Sequence, residues 1–280
     1  MSQFGDPLGE SKVVSSNYFG CQGCSAALAI RYILKALGEK TTVVLPAYCW
    51  SAITHSSSHA SIKTPVFHRL GSHEVREAAV LAWAGKGKIF DIGLQWLIDA
   101  AKRNEDLLYV CYDNESYIKI NNQKHSDMPF EAVLPNPTDI IEAASTQDIM
   151  TALTVHKIPY AATATIAYPE DVVKKIQKAK HIVGTRFIHV LAPCSPGWRM
   201  PAELAMTLAR LAVKTCLFPL YEVEEGQKYT INLVPENLPV REYLDLQGRF
   251  NQLTDSEIQQ IQDAVDAKWA GLQKRASHRV

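Results

Sequence analysis

Charge of one sign, a long apolar run and an apolar leader are all lacking in this chain. Its 29 Lys and Arg balance 29 Asp and Glu, a formal net charge of zero, so no field gathers nucleic acid or an anionic membrane surface. No window reaches the ~18–20 apolar residues of a membrane span. The start, MSQFGDPLGESK, has no apolar segment of the signal-peptide kind. A cytoplasmic protein with no nucleic-acid partner and no membrane span is expected. The nine histidines are scattered, and the stretch holding His55, His59 and His68 has no HExxH or other ligand spacing, so a polar loop accounts for it. No internal repeat or low-complexity tract is found.

What is present is a strong alternation of strand and helix patterns. With 280 residues and 47% hydrophobic content the chain can bury a sizeable core. Helical spacing over 25–37 stops at Gly38, a good C-cap, and 41–47 reads as a strand. A short apolar run at 78–83 has the character of a buried parallel strand; a helix over 91–104 and a strand over 107–114 follow. After a polar, Pro-containing stretch, helices are predicted at 146–157, 169–182 and 201–216, and strands at 160–168 and 186–193. A hairpin around Glu225-Gly226 and a charged amphipathic helix over 256–275 close the chain. This order favours an α/β fold: a three-layer parallel sheet with helices on both faces, in one domain over 1–280 that ends in a hairpin and helix over 217–280.

Six cysteines occur in a protein too large to need disulfide staples. Cys21-x-x-Cys24 opens a helix and Cys49 ends the next strand. Thiolates at a helix N-terminus are stabilised by free N–H groups and the helix dipole, which suits an anionic iron–sulfur cluster. Cys216, ending a helix just before LFPLY, is the best-placed fourth ligand. A zinc site, a redox dithiol and a purely structural role stay open for a single CxxC. Cys111, within a strand, and Cys194, in APCSPGW, read as packing residues.

The stretch LAWAGKGKIFDIGLQW, with Gly85-Lys86-Gly87 at its centre, has the strand-turn-helix form of many diphosphate sites, yet places lysine where a metal site wants a carboxylate.

The segments GCQGCSAALAIRYILKALG, FDIGLQWLIDAAKRNEDLLYVCYDNESY, IPYAATATIAYPEDVVKKIQKAK, FIHVLAPCSPGW and LARLAVKTCLFPLYE, followed by YLDLQGRF, resemble the beta subunit of the 2-oxoacid:ferredoxin oxidoreductases of the pyruvate synthase type. They cover about 18–272 in the family's order. The resemblance implies a thiamine-diphosphate-binding fold that holds the diphosphate end of the cofactor and one 4Fe-4S cluster, with Cys21, Cys24, Cys49 and Cys216 as its ligands. It also implies alpha, gamma and delta subunits as partners. Ferredoxin or another acceptor would take the electrons while a 2-oxoacid is decarboxylated to acyl-CoA.

Where the family reads Gly-Asp-Gly, this chain has Gly85-Lys86-Gly87, and where it reads Asn-Thr after the DNExY tyrosine, this chain has Lys119-Ile120 after Tyr117-Ile118. A hard cation needs oxygen donors, so these changes speak against an ordinary Mg²⁺–thiamine diphosphate site. Two readings follow. Either Lys86 and Lys119 pair directly with a diphosphate, or the chain is a non-catalytic electron-relay and structural subunit that has lost the cofactor.

Overall fold

The predicted alternation is realised in a computed structural model that describes residues 21, 23–44, 66–67, 79–85, 94–115 and 149–277. Helix α1 (Ser25–Leu37) precedes strands β1 (Thr41–Val44), β2 (Val66–Phe67) and β3 (Ala79–Gly85). Helix α2 (Leu94–Arg103), β4 (Leu107–Asp113), α3 (Ile149–Val155) and β5 (Tyr160–Thr165) follow. Next come α4 (Pro169–Lys180), β6 (Thr185–Leu191), the short α5 (Ser195–Trp198), a 3-10 turn at Ala202–Leu204 and α6 (Ala205–Lys214). The chain ends through β7 (Tyr221–Glu224), β8 (Lys228–Ile231), α7 (Arg241–Leu244), a 3-10 turn at Gly248–Phe250 and α8 (Asp255–Ser277).

Among the described residues the strands form one sheet in the order β2-β1-β3-β4-β6-β5-β7-β8. The first six in that order are parallel, and the β7–β8 hairpin joins β5 antiparallel at one edge. The sheet is therefore mixed rather than wholly parallel; two strands joined by a three-residue turn must run antiparallel to each other.

Burial on both faces explains why the central strands read as unbroken apolar runs. Along β4, Leu107, Tyr109 and Cys111 face one core with α2, α3, α6 and α8, whereas Leu108, Val110 and Tyr112 face a second core with α1 and α4. Strand side chains alternate with a period of two, so a strand covered on both sides needs apolar residues at every position.

Local chemistry sets the element ends. Gly38, in the left-handed region at φ +85°, donates its N–H to Leu34 O at 2.9 Å and stops α1 as its position predicts. The helix predicted over 201–216 is shorter: Thr215 Oγ1 donates to Leu211 O, and Cys216 turns to φ +60°. The strand predicted over 160–168 stops at Thr165, because Tyr168 N–H turns back to Thr165 O and Pro169 begins a helix. No described helix is long and apolar enough to cross a membrane.

Candidate functional site

Helices α1 and α4 run the same way on one face of the sheet; their C-termini meet where Lys180 Nζ donates to Leu37 O at 2.7 Å. Because the helix α4 joins the C-terminal end of β5 to the start of β6, both helices run antiparallel to the strands. The N-terminus of α1 therefore lies at the C-terminal edge of the sheet, where β3, β4 and β6 end. Ligand sites of open α/β sheets form outside this edge.

The Cys21-x-x-Cys24 segment is a tight turn: Cys24 N–H donates to Cys21 O at 3.2 Å, and Leu28 N–H to Cys24 O at 3.1 Å begins the helix. Gly23 at φ +70° occupies the position in the turn that other residues enter only with strain. A Cβ there would lie 2.9 Å from Ala202 Cβ, so the turn is seated on the 3-10 turn before α6. Cys21 is exposed and Cys24 half-buried. Partial burial, and then the neighbouring Cys24, push the Cys21 thiol above its usual pKa.

The donor chemistry fits an iron–sulfur cluster. Two thiols share a turn at a helix N-terminus, and the hydroxyl of Ser25, buried at 2% exposure, has no hydrogen-bond partner among the described residues. A bound cluster supplies one-electron transfer. Among the described residues no three Cys, His, Asp or Glu side chains gather at metal-binding distance. Cys49 lies outside the described residues.

Cys194 does not gather with Cys21 and Cys24 at metal-binding distance, nor does Cys216. Cys216 follows α6, whose start adjoins Ala202, and the ten residues of that helix span about 15 Å at ~1.5 Å per residue. Its Sγ contacts Asn237 Oδ1 at 2.9 Å, and burial together with Asp266 of α8 pushes its pKa up to about 11. Cys194, read from sequence as packing, follows β6 at the sheet's C-terminal edge and is half-buried. Cys111 is buried within β4.

On the diphosphate side, Gly85 is the last residue of β3, paired in register with Tyr112 of β4. A Cβ at Gly85 would lie 3.0 Å from Tyr112 Cζ, and that tyrosine ring stacks on Trp83 with centroids 4.9 Å apart. The Tyr112 ring thus crowds any side chain at this exit. Lys86, Gly87 and Lys119 lie outside the described residues.

Sequence reasoning missed the polar groups at the end of β4. Asp113 is 1% exposed, and its Oδ2 is 2.9 Å from His189 Nε2 of β6. Trp198 Nε1 donates to Asn114 O at 2.6 Å, and Arg249 pairs with Glu115 at 2.7 Å. The motifs DNE, SPGW and QGRF were visible, but contacts across 76 to 134 residues leave no trace in local periodicity.

Comparison with known proteins agrees with this architecture. Residues 68–190 match the family model "Thiamine pyrophosphate enzyme, C-terminal TPP binding domain". The chain is 38% identical over 288 residues to the ketoisovalerate oxidoreductase subunit VorB of Pyrococcus horikoshii, covering 93% of this chain and 92% of that relative. It is 37% identical to the pyruvate synthase subunit PorB of Methanocaldococcus jannaschii, over 89% and 92% of the two chains. The solved 2-oxoglutarate:ferredoxin oxidoreductase of Magnetococcus marinus shares the fold, with a TM-score of 0.51 at 18% identity over 74% of this chain and 81% of that one. Similarity of this extent over nearly the whole length shows that the chain belongs to the VorB/PorB family, the beta subunits of the 2-oxoacid:ferredoxin oxidoreductase complexes.

Proposed function

We propose that this chain is the beta-type subunit of a complex that oxidatively decarboxylates a 2-oxoacid to acyl-CoA and passes the electrons through a 4Fe-4S cluster to ferredoxin or another acceptor. It works in the cytoplasm as a single thiamine-diphosphate-type domain beside alpha-, gamma- and delta-type partners. The observation that carries this reading is the CxxC turn at the N-terminus of α1, on the same C-terminal edge of the sheet at which the Gly85 strand ends.

Cys21, Cys24 and Cys49 hold the cluster in this reading. The fourth ligand in this reading is Cys216, which the resemblance to the family supports.

Lys86 and Lys119 at the family's metal positions favour a second reading, a relay and structural subunit without thiamine diphosphate. Titrating thiamine diphosphate into the intact complex, with and without Mg²⁺, separates the two. Metal-independent binding that weakens in Lys86→Ala supports a lysine-held diphosphate around Gly85, Lys86, Gly87 and Lys119. Absence of binding supports the relay.

A further inference from the structure

Three consecutive residues leave the end of β4, and each is held by a different distant element. Asp113, the last residue of the strand, faces His189 of β6 at 2.9 Å, and its carbonyl accepts from Ala192 N–H at 2.8 Å. Asn114 O accepts from the indole of Trp198 in α5 at 2.6 Å. Glu115 is gripped by Arg249, whose Nη2 donates to Glu115 Oε2 at 2.7 Å and whose Nη1 donates to Glu115 O at 3.0 Å.

Arg249 is itself fixed. Its side chain is 2% exposed, its Nε donates to Gln247 Oε1 at 2.9 Å, and its guanidinium lies 4.2 Å from the ring centre of Trp198 and 4.4 Å from that of Phe250. The planar fork and the two aromatic contacts use properties that lysine lacks. Glu115 meanwhile sits at φ +43°, a conformation a non-glycine residue keeps only where its surroundings over-determine it.

A buried ion pair is a weak source of net stability, because desolvation offsets the attraction; its surer effect is to fix position. The position fixed here is the exit of β4, next to the exit of β3, where Tyr112 packs against Gly85.

We infer that Arg249 is a positioning residue. Stacked on Trp198, it locks the Asp113–Glu115 exit of β4 through Glu115 and thereby sets the affinity of the adjacent strand ends for a diphosphate. The consequence for affinity rests on the diphosphate-binding reading above; the lock does not.

The test uses the assembled complex carrying Arg249→Lys, with Arg249→Met as a second variant. Hydrogen exchange reads the lock without any ligand. Exchange of the Asn114 and Glu115 amides in Arg249→Lys should quicken about tenfold while that of α8 is unchanged. Thiamine diphosphate titration reads the consequence, an increase of about tenfold in Kd, the size usual for losing a supporting contact. Unchanged exchange at 114–115 in both variants overturns the proposal, as does faster exchange with unchanged Kd. If the parent complex binds no thiamine diphosphate, the diphosphate reading fails, and exchange alone decides the lock.

Discussion

Cys24 and Cys216 stand at opposite poles of two helices, Cys24 at the N-cap of α1 and Cys216 just past the C-terminus of α6. The first pole presents free N–H groups and the positive end of the helix dipole, and the second presents carbonyls and the negative end. The surroundings reinforce the contrast. Cys24 shares a turn with an exposed cysteine and adjoins a buried hydroxyl, whereas Cys216 is 4% exposed, bonded to Asn237 and near Asp266. Spacing in sequence treats the two cysteines alike; the structure sets one at the start of a helix and the other past the end of one.

The sharpest way to break this comparison is Cys24→Ser. We expect iron in the anaerobically purified protein to fall from about four per chain to near zero, measured by iron and sulfide assay. A fully loaded variant would remove Cys24 from the site.

Gly23→Ala comes next, because a side chain at φ +70° meets Ala202 and leaves the left-handed region strained. Strain of about 1–2 kcal/mol should lower the midpoint of thermal unfolding by several degrees and reduce cluster content. A variant with unchanged melting and iron would contradict the tight seating of the turn on the 3-10 turn.

The cysteines should also part by reactivity in the iron-free protein. Since Cys216 is held up to about 11, it stays a thiol through neutral and mildly alkaline pH, and iodoacetamide should label exposed Cys21 well before it. The sign for stability follows: a folded-state pKa raised from 9.0 gives stabilisation that is complete below pH 9 and lost as pH rises towards 11. Equal labelling rates at pH 8, mapped by mass spectrometry, would erase the distinction.

The smallest effect is expected at Ser25→Ala. Loss of a hydroxyl donor next to the cluster should make the midpoint potential more negative without changing iron content. An unchanged potential in redox titration would show that Ser25 Oγ does not face the cluster.

Much of the fold was legible because its cues are local. The apolar runs of β4, β5 and β6, the cap at Gly38 and the turn at Glu225-Gly226 all rest on neighbours within a few residues. The end of α6 was read too far, since Thr215 bonding back to Leu211 and the reversal at Cys216 leave little mark in helical periodicity. The groups that hold Asp113, Asn114 and Glu115 were invisible for a different reason. Trp198 and Arg249 reach them only after the sheet has brought β4 and β6 together and α7 has delivered the final turn.

The most direct test of the central claim is iron and sulfide content in Cys194→Ser and Cys216→Ser, each purified anaerobically beside the parent protein. The account predicts about four iron and four sulfide per chain in the parent and in Cys194→Ser, with loss of the intact cluster in Cys216→Ser. Zinc in place of iron in the parent, or a cluster lost from Cys194→Ser and kept in Cys216→Ser, would contradict it.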